Sequence, residues 1–151
     1  MKNTGQAVTL VTLGLAAFAV DRGLKALALA GVTLGPVDGG LRFELFPNPA
    51  IAFSIYVPAS VSTALIPAVV VIFIWLGWRW RQRGDLTRAA VTAVIVAAAF
   101  SNYLDRLRHG YVVDYVSLGN WFPVFNLSDV VIVAGLVLLG VAGRKKERSE
   151  I

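Results

Sequence analysis

Pro123-Val124-Phe125-Asn126-Leu127-Ser128-Asp129-Val130-Val131-Ile132-Val133-Ala134-Gly135-Leu136-Val137-Leu138-Leu139-Gly140-Val141-Ala142 decides how this chain is read. It is an apolar run of about the 20 residues that cross a hydrocarbon core, and it carries one carboxylate near its start. An ionisable side chain in such a segment is costly, which marks it as functional by default. Pro123 suits the first turn of a helix, which would set Asp129 about six residues deep, roughly 9 Å at 1.5 Å per residue. Asn126 lies three positions before Asp129, so both fall on one helical face.

Three further apolar runs extend the pattern, roughly 8–30, 61–78 and 89–104. The first is interrupted by Asp21, Arg22 and Lys25. Of the 151 residues 57% are hydrophobic and 15% charged, with a mean hydropathy of +0.71. A soluble domain is nearer 45–50% apolar and about 25% charged. The expectation is one membrane-embedded domain over residues 1–151: an α-helical integral membrane protein with four transmembrane helices. The net charge of +5 does not indicate nucleic acid, because the basic residues gather at the ends of the apolar runs. Lys2 precedes the first run, Arg79, Arg81, Arg83 and Arg88 lie between the second and third, and Arg144, Lys145, Lys146 and Arg148 follow the fourth. By the positive-inside rule those segments are cytoplasmic, so both termini face inward. The segments 31–60 and 105–122 then face outward, with Trp75, Trp78 and Trp80 at the inner interface and Trp121 at the outer one. A rival reading takes Lys2 and Ala17-Phe18-Ala19 as a cleavable secretory signal; apolar residues continuing to Ala30 make the run long for one.

Leu41-Arg42-Phe43-Glu44-Leu45 alternates apolar and polar residues, the pattern of a short strand, behind turn signals at Gly35-Pro36 and Asp38-Gly39-Gly40. Ile51–Tyr56 would pair with it or lie along the interface, making a small extracytoplasmic β platform. No cysteine is present and His109 is the one histidine. That removes disulfides, thiol nucleophiles and multi-histidine metal sites, and no metal or cofactor is implied.

The chemistry-bearing residues collect toward the outward side. Asp21 and Lys25 are spaced to pair on one helical face, either as a self-neutralised pair or as an anchor for neighbouring helices. Asn102, Asp105 and Arg106 share a face of the third run; Arg106 offers the fixed donor fork suited to a carboxylate, or pairs with Asp105 to pin the helix end. Asp114, in Gly110-Tyr111-Val112-Val113-Asp114, reads as a strand or loop aspartate. The company of Asp129 raises its interest, since acid–base work needs two carboxylates of different proton affinity. Asn48, ahead of Ala50–Ser54, fits a surface loop as well as a substrate clamp. His109 reads as a surface residue, with no serine in an elbow context near it.

Together these blocks resemble the bacterial lipoprotein signal peptidase (type II signal peptidase) family. Asp21 and Lys25 match its Asp-x-x-x-Lys block, and 48–54 its Asn-x-Gly-Ala-Ala-Phe-Ser block. Asn102, Asp105 and Arg106 match Gly-Asn-x-x-Asp-Arg; Gly110, Val113 and Asp114 match Gly-x-Val-x-Asp; Phe125, Asn126 and Asp129 match Phe-Asn-x-Ala-Asp. The chain departs from the pattern at Leu24, Pro49-Ala50-Ile51, Ser101 and Ser128. The resemblance implies catalytic aspartates at 114 and 129, substrate-binding or orienting roles for Asn48, Asn102, Arg106 and Asn126, and structural support from Asp21, Lys25 and Asp105. It implies an aspartyl endopeptidase of the bacterial inner membrane, a monomer with its active site near the outer face. It would act on diacylglyceryl-modified prolipoproteins among membrane lipids. Two alternatives stay open: a catalytically altered homologue that binds lipidated peptides, prompted by the changed 48–54 loop, and a small proton-coupled transporter.

Overall fold

The computed structural model describes residues 2–36, 40–49 and 59–147, with side chains described over 4–36, 40–49 and 65–141. The four apolar runs form four helices: α1 (Lys2–Leu29), α2 (Ala59–Gln82), α3 (Leu86–His109) and α4 (Leu127–Glu147). Two strands, β1 (Arg42–Asn48) and β2 (Val112–Ser117), lie between them in sequence. Among the described residues, 4–29 and 86–109 are long and apolar enough to cross a membrane.

Helix α3 is the axle, packed against α1, α2 and α4. Each of those neighbours brings a glycine to it. A Cβ at Gly14 of α1 would fall 2.4 Å from Val94 Cγ2, one at Gly77 of α2 would fall 3.3 Å from Thr92 Cγ2, and one at Gly135 of α4 would fall 2.5 Å from Ile95 Cγ1. Small residues at such contacts let helix backbones approach closely, which is how helices associate where lipid removes the hydrophobic drive.

Burial is inverted relative to a water-soluble domain. Val8, Leu13, Leu15, Val71, Ile72, Ile74, Val133, Val137 and Leu138 are exposed along the helices, while Asp21, Lys25, Asp105, Asp114 and Asn126 are fully enclosed. Charged side chains are almost never enclosed in that way unless paired, so their partners define the site.

β1 and β2 pair antiparallel, with Phe46 opposite Asp114, Pro47 opposite Val113 and Asn48 opposite Val112, and an irregularity between Phe43 and Phe46. The strand foreseen at Leu41–Leu45 thus starts at Arg42 and runs on to Asn48, and its partner is the distant aspartate-bearing segment Val112–Ser117. Ile51–Tyr56, the partner considered from sequence, lies outside the described residues. The link from α3 into β2 is made by Gly110, whose left-handed backbone (φ 79°) caps the helix by donating to the Arg106 carbonyl. That tight exit lets a strand start after only two linking residues, Gly110 and Tyr111.

The start of α4 differs from the sequence expectation. The helix begins at Leu127, so Pro123 lies before it and Asp129 sits in the first turn rather than two turns in. Asn126 explains this. Its Oδ1 accepts from the Asp129 backbone N–H at 3.0 Å, and Asp129 Oδ2 accepts from the Asn126 N–H at 3.1 Å. This reciprocal pair is a capping box, and it satisfies the donors a helix start leaves open.

Candidate active site

The site is a stack of enclosed polar groups where α1, α3, α4 and β2 meet. At its base Lys25 lies 2.6 Å from Asp105 Oδ2 and 3.2 Å from Asp21 Oδ2. Arg22 reaches Asp105 Oδ1 at 2.5 Å. The Asp21–Lys25 pairing read from their spacing is present, but the ammonium also joins α1 to α3. Lys25 and Arg22, both of α1, meet Asp105. A buried charge is tolerated only with such matching and full hydrogen bonding.

Above this base lie two amides. Lys25 donates to Asn102 Oδ1 at 2.6 Å. An ammonium is a pure donor, so Asn102 must present its oxygen to Lys25 and its Nδ2 to Asp129 Oδ1, at 2.8 Å. Asn126 Nδ2 donates to Asp114 Oδ1 at 2.7 Å, with Asn102 Oδ1 at 3.1 Å. From the sheet, Asn48 Nδ2 donates to Asp114 Oδ2 at 2.7 Å. The register explains this reach: Asn48 opposes Val112, so it is the diagonal neighbour of Asp114 on the same face. Arg106 Nη1 contacts the Asn102 carbonyl at 3.5 Å and its charge is felt at Asp129, Asp114 and Asp105.

Asp114 and Asp129 therefore converge on Asn126, which donates its side-chain amide to one and its backbone N–H to the other. Each oxygen of both carboxylates receives a donor. Burial pushes the Asp114 carboxyl up to about 7, and the nearby Asp129 charge adds to this against the donations of Asn48 and Asn126. A carboxyl with that affinity is partly protonated near neutral pH.

Four residues of the network escaped the sequence reading. Arg22 was visible only as a break in the first run. Ser101 and Ser128 stood out solely as departures from a family pattern, and Tyr115 carried no signal. All three hydroxyls meet Asp21. Ser101 and Ser128 donate to Oδ2 at 2.7 and 2.8 Å, and Tyr115 donates to Oδ1 at 2.9 Å. Burial and the Asp21 charge push the Tyr115 hydroxyl up, so it remains a donor. His109 is exposed beside Tyr111, ring centroids 5.8 Å apart, as a surface histidine would be.

Two carboxylates held by shared amides on a helical scaffold are the arrangement that aspartic acid–base chemistry requires. Residues 13–143 match the family model described as signal peptidase (SPase) II. The lipoprotein signal peptidase of Syntrophomonas wolfei is 33% identical over 138 residues, covering 86% of this chain and 91% of its own. That of Deinococcus radiodurans is 32% identical over 152 residues, covering 90% of this chain and 79% of its own. A bacterial membrane enzyme solved by the in meso method shares the fold with a TM-score of 0.73 at 17% identity, over 97% of this chain and 92% of that one. The chain belongs to the signal peptidase II family of aspartic peptidases.

Proposed function

We propose that Asp114 and Asp129 are the catalytic pair of an intramembrane endopeptidase. It would remove signal peptides from diacylglyceryl-modified prolipoproteins in the bacterial cytoplasmic membrane. The observation that carries this reading is the joint hold of Asn126 on both carboxylates. The two acids share one enclosed amide network, as a pair acting on one water and one carbonyl must. The ionised member takes a proton from water as its oxygen attacks the scissile carbonyl carbon. The protonated member gives its proton to the carbonyl oxygen. As the tetrahedral adduct collapses, the first member gives its proton to the leaving amine and the second takes one from an adduct hydroxyl as the C=O re-forms and the C–N bond breaks, so one water is consumed and the pair ends with the single proton it began with. Titration belongs to the pair as a whole.

Asn102 and Asn126 hold the carboxylates in line, Asn48 braces Asp114 from β1, and Arg106 supplies positive charge for the substrate backbone or the developing oxyanion. Asp21, Lys25 and Asp105 form the base. In this reading the whole chain is a single domain and a monomer. All four helices span the bilayer with both termini cytoplasmic, and the β1–β2 pair lies at the outer face over lipid chains that run between the helices.

The transporter alternative fits less well, because transport sites lie near the bilayer midplane whereas Asp129 is in the first turn of α4. Of the loop that prompted a binding-only homologue, 48–54, residues 50–54 lie outside the described residues. The test is cleavage of a lipidated precursor by Asp114→Asn and Asp129→Asn variants reconstituted in lipid. Each is expected to lose about 1,000-fold or more in rate, and retained activity in either overturns the proposal.

A further inference from the structure

The residue after Asp114 is Tyr115 and the residue before Asp129 is Ser128, and both are tied to one carboxylate on a third element. Asp21 Oδ1 accepts from the Tyr115 hydroxyl at 2.9 Å and from the Ser128 backbone N–H at 3.3 Å. Asp21 Oδ2 accepts from Ser128 Oγ at 2.8 Å and Ser101 Oγ at 2.7 Å. The Tyr115 oxygen in turn accepts from the Leu127 N–H at 2.9 Å, closing a ring between β2 and the start of α4. All of these side chains are buried, where lost hydrogen bonds are not replaced by water.

From this geometry we propose that Tyr115, Ser128 and Ser101 are positioning residues: by clamping Asp21 they set the spacing of Asp114 and Asp129. The proposal rests on the peptidase reading above. The path from one acid to the other runs Asp114–Tyr115, across Asp21, to Ser128–Asp129, and every non-covalent step in it is a hydrogen bond to a carboxylate, the stronger kind. Lys25 holds Asp21 from beneath at 3.2 Å, so the clamp is anchored to α1 and moves neither with the sheet nor with α4. Ser101 of α3 and Ser128 of α4 thus bring two donors to the same carboxylate oxygen of α1.

The test compares Tyr115→Phe, Ser128→Ala and the double variant with the parent, using the full chain in lipid and a lipidated precursor peptide. The phenylalanine keeps the ring that packs on Phe43, centroids 5.4 Å apart. Folded enzyme is quantified by its thermal transition, and kcat is expressed per folded molecule. The double variant is expected to lose about 10-fold in kcat with KM within about twofold. The shape of the pH profile supplies a readout that mere loss of folded enzyme does not move. The charged groups acting on Asp114 are Asp129 from α4, Lys25 from α1 and Arg106 from α3. A slackened clamp lets Asp129 recede, so the alkaline limb moves to lower pH. Unchanged kcat per folded molecule overturns the clamp, and so does a loss in kcat with an unaltered profile. Retained cleavage by Asp114→Asn in the same assay instead removes the peptidase reading on which the clamp depends.

Discussion

Asn126 is the busiest residue of the site. Its side-chain oxygen caps α4, its amide nitrogen holds Asp114, and its backbone N–H holds Asp129. The i, i+3 spacing of Asn126 and Asp129 was legible as a shared helical face. What it encodes first is a capping box, and the caps of a helix are equally a matter of spacing. Asp114 carries the pH dependence that can be read directly. Its proton affinity is raised in the folded chain, to about 7, so the folded state binds the proton more tightly than the unfolded one. Its contribution to stability is complete at pH below about 4, the ordinary carboxylate value, and is lost as pH rises through about 7. The Tm of the parent, measured relative to an Asp114→Asn variant, should therefore fall as pH is raised from 5 to 8. A difference independent of pH would show that Asp114 does not titrate in that window.

Among the elements, α3 grows from the shortest of the four apolar runs, 89–104, and is the centre of the packing. Its polar face, Ser101, Asn102 and Asp105, is buried, because it points at α1 and α4 rather than at water. Composition along a run cannot show which neighbour will cover which face, so the helices were readable and their partners were not. The pairing of β1 with β2 was hidden for a related reason: strands so far apart in sequence leave no turn signal between them. Three glycines carry the helix contacts. A Cβ at Gly135 would press on Ile95 Cγ1 at 2.5 Å and Cδ1 at 2.8 Å, so Gly135→Val is expected to cost about 1–3 kcal/mol by overpacking. Trimming the other side, as Gly135→Val with Ile95→Ala, should recover part of that loss. The measurement is Tm in detergent for both variants, and failure of the second change to help would place the strain elsewhere.

At the scale of the whole molecule the enclosed charge network and the apolar exterior describe one arrangement, with polar chemistry inside and hydrocarbon-compatible surface outside. Two residues frame the proposed orientation: Trp121, exposed in the turn after β2, and Arg83, at the bend between α2 and α3. The sequence contains no cysteine, so single-cysteine variants report cleanly. A membrane-impermeant thiol reagent applied to intact cells should label Trp121→Cys, and it should label Arg83→Cys only after the membrane is opened. Labelling of both from outside would overturn the orientation. The expected orientation rests on where the basic residues lie, whereas the contacts of the Ser101, Tyr115 and Ser128 hydroxyls had no such signal in the sequence. A lone hydroxyl in an apolar stretch has no meaning until the fold supplies its acceptor.

The capping role of Asp129 bears on how a substrate trap should be built. Truncating that side chain would fray the first turn of α4 along with removing the acid, so an inactive variant made there would blur loss of chemistry with loss of shape. Asp114 caps no helix. Bait for capturing precursors is better prepared by replacing Asp114, which leaves the capped start of α4 intact.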